Sequence, residues 1–267
     1  MKLQVLIPLY NEEEAFYNCF VEINKVLRAD GFEPSFVLVD DGSKDGTWDL
    51  ISKLSDEFSN VRGIRFSRNF GKEIALVAGI DACEDCLTVI MDGDLQHPPK
   101  YIKTMFDEMV AGDFDIVEAS KKSRGKESLM YKIFAKSFYK VLKLITGVDI
   151  DNSSDFKLMN AKVLSKLKDF NERHVFFRGL VDYVGFAKGK VDFEVEDRVG
   201  GKSSFSFKKL IMLAIDAVVS YTGKLLYLVF ASSLLFLLFS IIMVINTLYN
   251  YFAGFAVSGF STVIILV

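Results

Sequence analysis

The chain reads as an α/β protein with a doubly wound, mostly parallel sheet, carried on an apolar tail that crosses a membrane. Three observations predict this. Short runs rich in Val, Ile, Leu and Phe alternate with amphipathic helical patterns through the front of the chain. Acid- and amide-bearing segments fall directly after several of those runs, at the carboxyl ends of strands where sheets of this class bind ligands. Charge is confined to the front: of 267 residues, 32 are Lys or Arg and 35 Asp or Glu, and none lies beyond Lys224. A 51% hydrophobic content with a net charge of −3 excludes a disordered chain and a basic nucleic-acid binder.

In order, strands are predicted at Leu3 to Ile7, Phe36 to Val39, Val61 to Phe66, Leu87 to Met91 and Asp115 to Ala119. Helices are predicted at Glu12 to Leu27, Thr47 to Phe58, Lys72 to Ala82 and Tyr101 to Val110. The first has the signature of a capping box, Asn11 followed by Glu14 three residues later. A helical pattern at Ser128 to Thr146 sets Met130, Ile133, Phe134 and Phe138 to one side and is read as core packing. Phe205 to Tyr221, with Lys208 and Lys209 beside its apolar residues, is read as an interfacial amphipathic helix.

Leu225 to Tyr249 is an apolar stretch that as a helix is about 37 Å long, against a hydrocarbon core of about 30 Å, and so spans a bilayer with tilt. Val257 to Val267 is a second apolar run, too short to span. Arg198, Lys202, Lys208, Lys209 and Lys224 precede the span and no base follows, which places the front domain in the cytoplasm. The three cysteines cannot all pair, in keeping with a reducing compartment, and the lone Cys83-x-x-Cys86 is read as ordinary thiols.

Three loops carry the chemistry: Pro8-Leu9-Tyr10-Asn11-Glu12-Glu13 after the first strand, Asp40-Asp41-Gly42-Ser43 after the second, and Asp92-Gly93-Asp94-Leu95-Gln96 after the fourth. Carboxylates gathered this way repel one another, and a divalent cation relieves that. Asp92 and Asp94, with Gln96 as a neutral oxygen, suit Mg²⁺ or Mn²⁺ bridging a substrate diphosphate. Neither GxGxxG nor GxxxxGK[ST] occurs, which excludes dinucleotide and P-loop readings. His97, before Pro98-Pro99, is read as a turn residue.

Those loops, together with Ser67-Arg68-Asn69-Phe70-Gly71-Lys72, the continuation of the third loop through His97 to Pro99, and Asp155-Phe156-Lys157-Leu158-Met159, resemble glycosyltransferase family 2. Within it they resemble the polyprenyl-phosphate glycosyltransferases, the group of bactoprenol glucosyltransferases and dolichol-phosphate mannose synthases. Arg198-Val-Gly-Gly201-Lys202-Ser203 is similar to that group's juxtamembrane motif. Two positions depart from the pattern: Gly93 stands where the family often has alanine and His97 where it often has an acid.

The resemblance implies a Rossmann-like GT-A nucleotide-sugar domain over residues 1–197, a juxtamembrane segment over 198–224, the span over 225–249, and the start of a further apolar segment over 250–267. It implies a donor held by Pro8, Tyr10, Asn11, Glu12, Asp40, Lys72, Asp92, Gly93 and Asp94, with UDP-glucose or UDP-N-acetylglucosamine favoured over GDP-mannose. Asp92, Asp94 and Gln96 correspond to the metal site. Asp155 corresponds to the residue usually named the catalytic base. Arg124, Arg178, Arg198, Lys202 and Ser203 stand at or near the positions that receive the phosphate of an undecaprenyl or dolichyl acceptor.

The implied reaction is transfer with inversion, at the cytoplasmic face of the cell (inner) membrane, by an enzyme in contact with membrane lipid and able to self-associate. A lipid monophosphate, with a second pKa of about 6, scarcely needs a base, so Asp155 is expected to orient the acceptor or stabilise charge at the sugar carbon. The competing readings are a processive polysaccharide synthase and an inactive nucleotide-sugar-binding scaffold. The first would carry Gln-x-x-Arg-Trp, whereas the sole tryptophan is Trp48; the second would show damaged acidic loops, and all three are intact.

Overall fold

The structure, a computed structural model, describes residues 1–121, 154–170, 177–193 and 224–255. The chain divides into two compact units, Met1–Ser220 and Tyr221–Val267. Arg124, Arg198, Lys202 and Ser203, the helical patterns at 128–146 and 205–221, and the apolar run at 257–267 lie outside the described residues.

In the first unit, strand and helix alternate as β1 (Lys2–Leu9), α1 (Glu13–Ala29), β2 (Glu33–Asp40), α2 (Thr47–Glu57), β3 (Val61–Arg65), α3 (Lys72–Ala82), β4 (Thr88–Ile90), α4 (Lys100–Ala111) and β5 (Ile116–Lys121). There follow β6 (Lys157–Met159), α5 (Ala161–Lys168), α6 (Phe177–Tyr183) and β7 (Lys188–Phe193). The sheet order is β3-β2-β1-β4-β6-β5-β7. Every pairing is parallel except the two made by β6, which runs antiparallel to both β4 and β5. The α/β class and its mostly parallel sheet are as the alternation predicts. Strands β6 and β7 have no counterpart among the predicted elements.

Strand β1 is apolar on both faces because helices cover both. Leu3, Val5, Ile7 and Leu9 join Phe16, Phe20 and Ile23 of α1 in one buried cluster that takes in Ile102 and Met105 of α4. Leu6 points the other way, against Gly79 of α3, where a Cβ would have no room. A near-continuous apolar strand is what burial on two faces demands.

Helix α1 is not capped as its sequence predicts. Glu12 occupies the cap with no side-chain cap bond. Asn11 takes a left-handed φ of 55° instead, and its Oδ1 accepts from the Lys44 N–H at 2.9 Å. The amide that would cap the helix ties the first loop to the second.

The second unit contains α7 (Lys224–Phe252), a helix of 29 residues and about 43 Å. Within it Val229–Phe252 has a mean hydropathy of 2.4 and is long and apolar enough to cross a membrane. Phe230, Phe236 and Phe252 are 70%, 68% and 83% exposed, surface that water would not tolerate in such a run. Three of its hydroxyls turn inward on the helix: Ser232 and Ser233 donate to the Val229 carbonyl and Thr247 to that of Met243, which leaves these three satisfied without water.

Candidate active site

The site lies at the carboxyl edge of the parallel strands, and β6 brings a further residue to it. Because β6 runs antiparallel, with Lys157 registered against both Ile90 and Glu118, the residues preceding it emerge at the edge where β4 ends. Asp155 thereby arrives beside Asp92, although the two are far apart in the sequence.

Four charged side chains meet there. Lys72, in the first turn of α3, donates from Nζ to Asp92 Oδ1 at 2.5 Å and to Asp155 Oδ2 at 2.6 Å. Arg178 donates from Nε to Asp155 Oδ1 at 2.7 Å and from Nη2 to Oδ2 at 3.1 Å, a bidentate fork. The Asp155 side chain is only 7% exposed. Burial alone would raise its pKa, but Lys72 and then Arg178 hold it well below the carboxylate range. Burial likewise opposes the Asp92 charge, and Lys72 outweighs it, so that carboxyl is lowered too. Lys72 is the reciprocal case: burial disfavours its ammonium, while Asp155 and Asp92 raise it above the usual lysine value.

Strand β5 fixes the backbone around Asp155. Glu118 Oε1 accepts from the Ser154 N–H at 2.7 Å and from Nζ of Lys157, which is 1% exposed, at 2.8 Å. The Ser154 hydroxyl donates to the Ala119 carbonyl, and the Ala119 N–H to the Phe156 carbonyl at 2.9 Å.

The first two loops are laced together. The Asn11 N–H donates to Ser43 Oγ at 2.9 Å, and the Ser43 N–H to Asp40 Oδ1 at 2.9 Å. Asp40 is fully buried; its Oδ2 has no hydrogen-bond partner, with Arg65 Nε 3.6 Å away. Tyr10 is 41% exposed on the same edge, while Pro8 is half-buried within β1.

Asp41 accepts from the Phe70 and Gly71 N–H groups at 2.7 and 2.9 Å, and burial pushes its pKa up against those bonds. Since Gly71 caps α3, Asp41 sets where Lys72 begins its helix. Glu73, raised by burial, accepts from the Phe177 N–H at 2.6 Å and places Arg178 one residue on. Asp41, Glu73 and His97 are absent from the expected site. Asp41 and His97 have a visible signal, their places in the Asp40 to Ser43 loop and in the motif that runs from Asp92 to Pro99, whereas Glu73 has none.

Gly42, with a φ of +67°, passes so close to the Arg68 backbone that a Cβ would lie 2.6 Å from the Arg68 Cα. Gly42→Ala is expected to lower the melting temperature by about 5 °C, since both the positive φ and the backbone approach are lost. Thermal unfolding of the parent and the variant checks this.

His97 lies in the bend between β4 and α4, as its place before Pro98-Pro99 suggests, and its side chain is buried there. It is 3% exposed, stacks on Phe156 at 5.0 Å, and its Nδ1 accepts from the Asp92 N–H at 2.9 Å. Gly93 lies against Leu9 and Phe16, where a Cβ would come within 2.6 Å of Leu9 Cδ2.

Asp94 Oδ1 accepts from the Gln96 N–H at 3.0 Å. Among the described residues no three His, Cys, Asp or Glu side chains form a closed metal cage. Two carboxylates two residues apart with an amide oxygen nearby nonetheless fit a hard cation that keeps positions for substrate oxygens. Cys83 lies buried at the end of α3, where burial pushes its thiol up to about 12.

A glycosyltransferase of Synechocystis sp., sll0501, is 36% identical over 223 residues, covering 83% of this chain and 70% of that protein. The bactoprenol glucosyl transferase of Shigella phage SfV is 33% identical over 223 residues, covering 83% of this chain and 72% of its own. Among solved structures, the mannosyltransferase PcManGT of Pyrobaculum calidifontis, in complex with GDP-Man and Mn²⁺, superposes with a TM-score of 0.56. It covers 84% of this chain and 64% of that one at 15% identity, which is a likeness of fold. The sheet is thus the GT-A arrangement. The model of "Glycosyl transferase family 2" matches residues 4–168, the stretch that holds β1 to β6 and carries Lys72, Asp92, Asp94 and Asp155. The chain belongs to glycosyl transferase family 2.

Proposed function

We propose that the chain transfers a hexose from a UDP-sugar to a membrane polyprenyl phosphate with inversion, giving a polyprenyl-phosphate monosaccharide. The observation that carries this is the Asp155 carboxylate, clamped between Lys72 and Arg178 beside Asp92. The bactoprenol glucosyl transferase relative supports the acceptor class.

Asp92 and Asp94, with Gln96, would hold a divalent ion, which would supply charge neutralisation for the leaving nucleoside diphosphate. Lys72 supports the same diphosphate from α3. Arg178 receives the acceptor phosphate, and its guanidinium has more N–H donors than the two engaged by Asp155.

An anionic phosphate oxygen attacks the anomeric carbon from the face opposite the leaving group. One C–O bond forms as another breaks, and the sugar inverts. Above about pH 6 the acceptor oxygen has already lost its proton, so none need be moved. A carboxylate with a strongly depressed pKa is a poor proton acceptor, and Asp155 acts by stabilising positive charge at the sugar carbon.

The division into residues 1–197, 198–224, 225–249 and 250–267 follows from the same reading. The helix that can span a bilayer keeps the enzyme beside an acceptor that cannot leave it, since each exposed CH₂ costs about 0.8 kcal/mol. Arg124, Arg198, Lys202 and Ser203 complete the acceptor side, and the bases before the span place the catalytic domain on the cytoplasmic face.

Full-length protein incubated with undecaprenyl phosphate and labelled UDP-glucose, UDP-N-acetylglucosamine or GDP-mannose tests the proposal. A lipid-extractable monosaccharide is expected from a UDP-hexose with Mn²⁺ or Mg²⁺, reduced to background by EDTA and restored by the metal. A polymeric product, or nucleotide binding without transfer, would overturn it.

A further inference from the structure

We infer that His97 is a positioning residue that locks the Asp92 loop to the Asp155 loop. Three observations meet at its ring. The Met91 N–H closes the ladder to β1 on the Leu6 carbonyl at 3.2 Å, and on the other side the β4–β6 register ends at Ile90 and Lys157, so the Asp92 N–H, which faces β6, lies beyond that register. His97 Nδ1 supplies its acceptor at 2.9 Å.

The opposite requirement, a fixed place for the ring, is met by Phe156. The two rings stack at 5.0 Å with 14° between their planes, and Phe193 meets the imidazole edge-on at 6.0 Å. Phe156 follows Asp155 directly, and its carbonyl is bonded to the Ala119 N–H of β5. The imidazole therefore holds the Asp92 backbone by a hydrogen bond and the residue that follows Asp155 by a stack. Lys72 can bridge the Asp92 and Asp155 carboxylates only while that spacing is kept.

An aromatic side chain would fill the same buried space. What histidine adds is an acceptor at the δ position, aimed at one N–H. A displacement of about 1 Å in such a constellation costs about a hundredfold in rate, so holding the spacing is a catalytic requirement although His97 touches no substrate.

Two substitutions separate the positioning role from simple packing, because each keeps one contact. His97→Phe keeps the stack and loses the acceptor; His97→Asn keeps an acceptor at the same branch point and loses the stack. The measurements are melting temperature, kcat and KM for transfer, and calorimetric affinity for UDP with Mn²⁺. His97→Phe is expected to melt near the parent temperature, yet lose about thirtyfold in kcat and in UDP–Mn²⁺ affinity. His97→Asn is expected to melt lower and keep both within about threefold.

The reverse order, with His97→Phe active and His97→Asn impaired, would make His97 a packing residue and overturn the inference, as would parental behaviour of both. The rate readout rests on the transfer proposed above, whereas the UDP–Mn²⁺ affinities do not. Parent protein that binds UDP but transfers nothing would defeat that reaction and leave the affinity order to decide His97. Failure of the parent to bind UDP with Mn²⁺ would overturn both.

Discussion

Asp155→Asn is expected to lower kcat for the proposed sugar transfer by about a thousandfold while leaving UDP affinity within a few-fold, because in that reaction the charge lost acts on the sugar carbon and not on the nucleotide. Its pH dependence separates stabilisation from proton abstraction. Burial would raise the Asp155 pKa, but Lys72 and Arg178 depress it. A depressed carboxylate contributes stability in full above its unfolded value of about 3.9, and that stability is lost as pH falls through the lower folded value. Between pH 5 and 9 the group stays ionised. The parent enzyme should therefore show one acidic rate limb near pH 6, from the acceptor phosphate, and Asp155→Asn should keep that limb at reduced height. Disappearance of the limb in the variant would identify Asp155 as the base. Rates over that range, with circular dichroism to check folding below pH 4, are the measurements.

Lys72→Met is the second large effect. It leaves Asp92 and Asp155, which share one ammonium, facing each other without it. A loss of about a hundredfold or more in kcat/KM is expected, shared between donor affinity and rate. The stability cost is about 1–2 kcal/mol, a buried-pair loss discounted because the lysine side chain is 38% exposed. In the parent, the raised lysine contributes fully below its unfolded value of about 10.4 and loses that contribution only as pH rises through its higher folded value, so stability is level to pH 9. In the variant, mutual repulsion raises one carboxylate, so stability recovers as pH is lowered toward 5. Melting curves at pH 5, 7 and 9 on both proteins check this, and a variant insensitive to pH would show that the two carboxylates do not interact.

Much of this was legible in the sequence because parallel strands between helices leave a strong local record. Leu3, Val5 and Ile7 repeat with the period of a strand, and the loops that follow such strands announce their acids directly. Lys72, Asp92 and Asp155 could be singled out from their motifs, but nothing in the sequence shows that one ammonium serves both carboxylates. Strand β6 escaped because it is three residues long and begins with a lysine, whose burial depends on Glu118 across the sheet. His97 reads as a turn residue and lies in a bend, but its burial leaves no local record, because the rings that enclose it, Phe156 and Phe193, come from distant parts of the chain. Asn11 reads as a cap for the same reason: its partner, the Lys44 N–H, belongs to the next loop.

The antiparallel setting of β6 has a consequence for how such an enzyme can diversify. Lys121 ends β5 and Ser154 precedes β6 on the same edge, so the chain leaves the sheet and rejoins it at neighbouring points. Residues 122–153 are consequently a cassette whose two splice points stand beside Asp155. An exchange of residues 122–153 between homologues, joined at those two points, is expected to leave all seven strands, and the loops they carry, in register. Transfer assays on chimaeras joined at Lys121 and Ser154 would show which preference travels with that segment.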